Sequence, residues 1–199
     1  VATVPPARAG GNLLRDGGFE EGAGAWALPG DGITVDETVA HCGRRSLKLS
    51  WDKPAEPRVA SQDFAAEAGR RYLVRGWMKA GEVQGAWWSN AYLQAEWAGV
   101  RGYDWNDPGQ GVLGHARIEG VRGVTDWVAV SYVTPPAPAG TCRGRLSVSI
   151  DWNGFGTAWV DDLAVEPLPG GPVLQWRCGP QSVVGEADSG PFAALTPAL

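Results

Sequence analysis

The most regular feature of this chain is an alternation of apolar and polar residues with a period of two. Successive side chains of a strand point to opposite faces, so this alternation predicts half-buried strands. Almost no stretch carries the 3.6-residue period of a helix. The pattern predicts nine strands, at residues 33–38, 45–51, 58–65, 71–79, 91–97, 115–119, 127–133, 145–152 and 157–166.

The order of these strands indicates the fold class. They are short, separated by Gly, Pro, Asn and Asp, and never alternate with helical segments. We therefore predict an all-β fold, a two-sheet antiparallel β-sandwich of the jelly-roll type. Residues 11–168 form the sandwich, 1–10 an N-terminal linker, and 169–199 a linker and C-terminal tail, because both ends are rich in Pro, Ala and Gly.

Composition narrows the partners that this sandwich can take. The net charge is −5 and the 17 Lys and Arg residues are scattered, so a basic surface for nucleic acid is not expected. No apolar run approaches the ~20 residues that cross a bilayer, so we predict no membrane partner. The chain has 11 Trp but only four Phe, four Tyr and one Met, far more indole than a core of this size needs. Indole rings suit ligands with an apolar face and a polar rim, such as sugars.

The alternation also assigns side chains to faces. In residues 71–79 it places Tyr72, Val74 and Met78 in the core and Arg75 and Trp77 on the opposite face. An Arg and a Trp side by side in mid-sheet are unusual for a solvated surface. We therefore expect this face to line a concave groove.

Two other strands are predicted to contribute polar groups to the same groove. Alternation gives Gln94 and Glu96 from residues 91–97, and Asp151 from 145–152. Together with Trp77 they would provide a stacking platform and hydrogen-bond partners, which a buried polar ligand requires.

Four of the remaining tryptophans are surface candidates. Trp87, Trp88, Trp105 and Trp152 lie in or beside predicted loops and are expected on the surface, at the ligand. Trp97 fits either the surface or the core.

Cysteine chemistry is not expected to carry the function. Cys42, Cys142 and Cys178 match no metal-ligand spacing and cannot all pair with one another. His41 and Cys42 are adjacent, and adjacent residues of a strand point to opposite faces, which disfavours a nucleophilic dyad. We predict that no disulfide is essential to the sandwich core.

Four segments in register resemble a known family. They are NLLRDGGFEEGAGAW at 12–26, HCGRRSLKL at 41–49, GRRYLVRGWMK at 69–79 and TAWVDDLAVE at 157–166. This pattern resembles the family 4/9-type carbohydrate-binding modules, which are galactose-binding-like jelly rolls. Two departures are Cys42, where the pattern has serine, and a long Trp-rich loop from Gly85 to Gly114.

The resemblance places Trp26, Trp51, Trp127 and Trp159 at positions that are mostly structural, so these four are expected in the core. It also implies a structural calcium ion held by Glu20, Asp161 and carbonyls near Arg45. Alternation in residues 157–166 gives an independent reason, since it places Asp161 on the same face as Trp159 and Leu163. A carboxylate among apolar groups is costly unless it is paired or bound to a metal. An ion pair with Arg44 or Arg45 is the alternative.

Three functions remain open at this point. The first is a non-catalytic carbohydrate-binding module that binds a polysaccharide or oligosaccharide, as a monomeric part of a larger secreted multidomain glycoside hydrolase or lyase. The second is a glycoside hydrolase with Glu96 and Asp151 as its carboxylate pair. The third is a structural or adhesive β-sandwich.

Overall fold

The structure is a computed structural model that describes residues 11–104, 106, 111–169, 173–178 and 181–186, the last two ranges by their backbone alone. All the regular secondary structure in this part of the chain is β-strand. The strands are β1 (Ile33–Asp36), β2 (Ser46–Trp51), β3 (Ala60–Phe64), β4 (Tyr72–Gln84), β5 (Ala91–Ala98), β6 (Val112–Val121), β7 (Gly123–Val133), β8 (Arg143–Ile150), β9 (Phe155–Pro167), β10 (Val173–Cys178) and β11 (Gln181–Glu186).

The chain divides into two compact units, Val1–Leu168 and Pro169–Leu199. In the second unit β10 and β11 pair as an antiparallel hairpin, which the sequence analysis had not assigned. No helix in the described residues is long and apolar enough to cross a membrane.

The first unit contains two antiparallel sheets, so the predicted all-β sandwich is confirmed. One sheet has five strands in the order β1-β2-β9-β4-β7, and the other has four in the order β3-β8-β5-β6. All nine predicted strands are present, although β4, β6, β7 and β9 are longer than predicted.

A single hydrophobic core lies between the two sheets. The five-stranded sheet contributes Leu47, Leu49, Val74, Met78, Val160 and Val165, and the four-stranded sheet contributes Leu93, Ala95, Leu146, Val148 and Ile150. The inward alternation predicted for β4 is confirmed by the burial of Tyr72, Val74 and Met78. Trp26, Trp51 and Trp97 are also buried.

A β-bulge in β9 reverses the alternation that the sequence had indicated. Trp77 lies opposite Asp161 but Arg75 lies opposite Ala164, so β9 contains one extra residue, and Asp162 has a φ of 51°. Val160 and Leu163 both face the core as a result. The prediction that Trp159 and Asp161 share a face with Leu163 is therefore wrong, because strict alternation does not survive a bulge.

The tryptophan assignments also need correction, and for Trp159 the bulge is the reason. Trp159 is half-buried on the outer face of the five-stranded sheet, since it lies opposite Lys79 rather than opposite a core residue. Trp127 is also half-buried. Both had been expected in the core.

Cys42 and Cys142 are exposed free thiols. The side chain of Cys178 lies outside the described residues. The prediction that the sandwich needs no disulfide stays a prediction.

Gly76 lies opposite the bulge and leaves room for Leu163. A Cβ at Gly76 would lie 2.4 Å from Leu163 Cδ2. We expect Gly76→Ala to lower the free energy of unfolding by about 1–3 kcal/mol through overpacking. In a Leu163→Ala background the same change should cost clearly less, because the clashing methyl group is gone. Urea unfolding of the four proteins in this double-mutant cycle measures the coupling.

Gly24→Ala is the control, because no atom lies within 4 Å of its Cβ position. Its effect on stability should stay within about 0.5 kcal/mol. Equal costs of Gly76→Ala in the two backgrounds would contradict the proposed contact.

Candidate functional site

The outer face of the four-stranded sheet carries a patch of polar side chains, which we call the polar face. It is formed by alternate residues of three adjacent strands: Tyr92, Gln94 and Glu96 of β5, Arg117 of β6, and Ser147 of β8 with Asp151 just beyond it. Gln94 lies opposite Arg117 on one side and Ser147 on the other. The strand register therefore brings the polar groups together.

One half of the polar face is organised around Glu96. Gln94 Nε2 donates to Glu96 Oε1 at 2.7 Å, and Ser147 Oγ donates to Glu96 Oε2 at 3.3 Å. The Glu96 side chain lies on an outer face, yet the residue is only 8% exposed. Both carboxylate oxygens are thus held in fixed positions.

The other half is organised around Arg117. Arg117 Nη2 donates to Asp151 Oδ2 at 2.5 Å, and the guanidinium lies 4.0 Å from the centre of the Tyr92 ring. Burial raises the pKa of the Tyr92 hydroxyl. The result is an aromatic ring, a cation and a carboxylate fixed in one group.

Two buried donors near this face have no partner among the described residues. They are Arg117 Nε and the hydroxyl of Tyr103. Tyr103 belongs to the loop after β5, and the Arg145 guanidinium lies 3.7 Å from the centre of its ring. A buried donor without an acceptor costs about 1–3 kcal/mol, and a ligand oxygen at this place would remove that cost.

Two loops with exposed tryptophans meet at the Asp151 end of the polar face. Trp87, Trp88 and Trp152 are 83%, 42% and 54% exposed, and the first two rings contact edge to face with centroids 5.2 Å apart. The loops join through Ser89 Oγ, which donates to the Trp152 carbonyl at 2.9 Å, and through the Asp151 N–H, which donates to the Asn90 carbonyl at 3.0 Å.

Arg122, at the turn between β6 and β7, fixes the first of these loops. Its guanidinium donates to the carbonyl oxygens of Gly85, Ala86 and Ser89. The indole rings are therefore carried on a loop whose backbone is held in place.

The predicted site is divided between the two outer faces of the sandwich. Gln94 and Glu96 lie side by side on the polar face and Asp151 lies at its other end, with Trp88 and Trp152 on the adjoining loops. Arg75 and Trp77 do not join them, because β4 belongs to the other sheet. The prediction of one shared groove is wrong in this respect. Trp105 lies outside the described residues.

The sequence analysis missed Arg117 and Tyr103. Alternation in HARIE, already predicted as a strand, would have placed His115, Arg117 and Glu119 on one face. For Tyr103 no comparable signal existed, because it lies in a loop without a period.

The carboxylate pair considered for glycoside hydrolysis does not have the required geometry. Arg145 lies opposite Glu96, and Asp151 follows Arg145 by six residues along the chain. At ~3.4 Å per residue this is about 20 Å of backbone. Retaining hydrolysis needs carboxyl groups about 5–5.5 Å apart, and inverting hydrolysis about 6.5–9.5 Å. The backbone positions of Glu96 and Asp151 are much farther apart than these carboxyl separations, which disfavours the pair as catalytic carboxylates.

The residues expected to hold calcium lie together on the five-stranded sheet's side of the molecule, but their contacts differ from the expectation. Glu20 Oε1 accepts the N–H groups of Arg44 and Arg45 at 2.8 and 2.9 Å, and Arg45 Nη1 donates to the Glu20 carbonyl at 2.7 Å. These backbone bonds lower the pKa of Glu20. The turn therefore offers Glu20 its N–H groups, where carbonyls had been expected.

Asp161 is fully buried and also bonds to backbone N–H groups. Asp161 Oδ2 accepts from His41 at 2.8 Å and Cys42 at 3.2 Å, and Oδ1 accepts from Asp162 at 2.7 Å. Burial raises the pKa of Asp161 despite these bonds. It is paired with neither Arg44 nor Arg45 through their side chains.

The groups around Glu20 and Asp161 do not form the coordination shell of a calcium ion, which consists of six to eight oxygen atoms. N–H groups bond to both carboxylate oxygens of Asp161 and to one of Glu20, and a guanidinium bonds to the Glu20 carbonyl. No group of three His, Cys, Asp or Glu side chains able to hold a metal ion occurs among the described residues. The calcium ion stays a prediction from the resemblance.

No family model and no curated protein matches this chain. Solved structures do. A xylan-binding family 22 domain from Paenibacillus barcinonensis Xyn10C matches with a TM-score of 0.54 and 19% identity, over 82% of this chain and 99% of that one. A family 61 carbohydrate-binding module in complex with β-1,4-galactotriose matches with a TM-score of 0.51 and 20% identity, over 77% and 97%.

A further match is the enzymatically active domain of bacteriophage CBA120 tailspike protein 4. It has a TM-score of 0.60 and 14% identity over 79% of this chain, which spans only 21% of that structure. At these identities the likeness shows the fold alone. The fold is that of carbohydrate-binding modules.

The calcium prediction can be tested by thermal unfolding. An ion that binds only the folded chain raises the melting temperature by mass action. On this hypothesis the melting temperature is higher in calcium than in chelator, and Glu20→Gln removes the difference. Identical melting curves in calcium and chelator would show that the N–H bonds to Glu20 and Asp161 act without an ion.

Proposed function

We propose that this chain is a non-catalytic carbohydrate-binding module that binds a polysaccharide or oligosaccharide on the polar face. The observation that carries the proposal is the group of Tyr92, Arg117 and Asp151 beside the Gln94–Glu96 pair. It fixes donors and acceptors for sugar hydroxyls, with the Arg117 guanidinium packed on the buried Tyr92 ring, while the exposed Trp88 and Trp152 on the adjoining loops offer an apolar surface to the C–H groups of a pyranose ring. Two structures of the same fold support it, since their names record xylan binding and bound galactotriose.

The polar face fits a neutral glycan better than an acidic one. Arg117 pairs with Asp151, and Arg145 Nε donates to Asp63 Oδ1 at 2.8 Å. Glu96 adds a carboxylate whose hydrogen-bond donors, Gln94 and Ser147, are neutral. Two of the cations that would attract a uronate, Arg117 and Arg145, are thus already paired with carboxylates. Xylan and β-1,4-galactan are the first ligands to test.

The exposed indole rings extend the proposed site beyond the sheet. Trp88 and Trp152 stand on the loops that adjoin Asp151, so a glycan chain longer than the polar face would meet them. We propose that Trp87 and Trp105 also contact the glycan. We infer that the chain is a monomeric, secreted module of a larger glycoside hydrolase or lyase, related to the family 4/9-type modules.

Glu96→Gln and Arg117→Ala test the polar face. Hydrogen bonds to charged groups contribute about 1.5–3 kcal/mol, so each change should weaken glycan binding by about tenfold or more. Affinity electrophoresis in gels with soluble xylan or β-1,4-galactan measures the effect. Glu67→Gln is the matched control, because this exposed carboxylate pairs only with Arg70 in its side-chain contacts. Unchanged migration of both polar-face variants, with the fold intact, would contradict the site.

Trp152→Ala tests the aromatic loops. Loss of a stacking ring should reduce affinity for the polysaccharide by about tenfold, on the order of one kcal/mol or more. The effect should be smaller for short oligosaccharides that do not reach the loop. Val124→Ala, another exposed apolar side chain, should have no effect. Release of reducing sugar by this chain, without substitutions, would favour an enzyme instead.

A further inference from the structure

A separate open depression lies on the outer face of the five-stranded sheet, away from the polar face. It has a volume of about 370 Å³, within the range of about 300–1,000 Å³ found for ligand sites. Its side-chain lining includes Arg75, Trp77, Asp162 and Glu166, and Gly17 and Gly18 leave one wall without side chains.

Trp77 is held rigidly at the edge of this depression. The His41 ring stacks on the indole with centroids 3.9 Å apart and planes at 15°, and His41 Nδ1 lies 2.7 Å from Asp162 Oδ2. Trp127 also contacts the His41 ring, edge to face, with ring centroids 5.6 Å apart. The Trp77 ring therefore needs no ordering when a ligand arrives.

The indole N–H of Trp77 has no acceptor among the described residues, unlike several other tryptophans. Trp26, Trp51 and Trp159 donate to Asp16 O, Gly154 O and Asp36 Oδ2. Those three rings are thus bonded within the protein. The Trp77 N–H remains available to an oxygen from outside.

The opposite wall is a partly buried ion pair. Arg75 Nε and Nη2 both donate to Glu166 Oε1, at 3.0 and 2.6 Å. These two bonds use only part of the five donors of a guanidinium. The wall can therefore both donate to and accept from a hydroxyl-rich ligand.

We propose that this depression is a second saccharide site, which binds one or two pyranose rings of a neutral glycan. A ring would contact the Trp77 indole with its C–H groups, while Arg75 donates to its oxygens and Glu166 and Asp162 accept from its hydroxyls. The lining carries two carboxylates, Asp162 and Glu166, and one arginine, Arg75. This excess of negative charge disfavours an acidic sugar. The site is independent of the polar face, because the two lie on different sheets.

The test is a glycan titration of the full chain labelled with 5-fluorotryptophan and followed by fluorine NMR. Trp→Phe variants assign the resonances, and xylohexaose and β-1,4-galactotriose are the probes. We expect the Trp77 resonance to shift with at least one probe. Trp159 is the internal control, since it lies on the same outer face but outside the depression. A Trp77 resonance that stays fixed at millimolar concentrations of both probes overturns the proposal.

A second titration separates this site from the polar face. In the Glu96→Gln/Arg117→Ala double variant, the Trp77 response should keep its concentration dependence. Loss of that response, with the fluorine spectrum otherwise native, would mean that Trp77 only senses binding at the polar face, and the second site would be withdrawn.

Glu166→Gln tests the carboxylate wall directly. It should shift the Trp77 titration to about tenfold higher probe concentration, the equivalent of about 1.4 kcal/mol for one hydrogen bond to a charged group. Glu37→Gln, whose side chain pairs with Arg45, is the control. An unchanged titration in Glu166→Gln would contradict the assigned role of Glu166.

Discussion

The β-bulge at Asp161 and Asp162 is the constraint on which one side of this molecule depends. It lets Val160 and Leu163 both reach the core, and Leu163 fills the space that Gly76 leaves open. The same extra residue directs Asp161 and Asp162 to the turn at 41–42. There Asp161 accepts hydrogen bonds from the backbone N–H groups of His41 and Cys42, and Asp162 bonds to the His41 ring. Core packing and the outer surface are thereby joined through two consecutive residues.

The N-terminal segment depends on the same part of β9. The Leu163 N–H donates to the Gly17 carbonyl at 2.9 Å, and Asn12 Nδ2 donates to the Leu163 carbonyl at 2.9 Å. A Cβ at Gly17 would lie on that carbonyl oxygen, so this close approach requires glycine. The wall of the depression around Trp77 is therefore set by backbone contacts, which explains why it is made of glycines rather than side chains.

The sequence predicted the strands and, within each strand, most of the faces, because both follow from a local period of two. It did not predict which strands share a sheet. β4 and β5 are consecutive but lie in different sheets, so Trp77 and Glu96 ended on opposite sides of the sandwich. That partition depends on long-range pairing, for which neither strand carries a local signal. The face of Trp159 was predicted wrongly for a different reason. Asp162 has a left-handed backbone conformation, and the bulge there reverses the faces of the β9 residues that precede it.

Two saccharide sites on opposite faces would act differently from two sites in one groove. A rigid sandwich holds them facing apart, so a short glycan that occupies the polar face does not reach Trp77. A glycan that cannot span both sites gives the second site an effective concentration near zero. The second site therefore adds avidity only where another polysaccharide chain is already close to it. Isolated oligosaccharides would therefore bind each face with its own affinity. Dense or bundled polysaccharide would be held more tightly by the same residues, without any new contact.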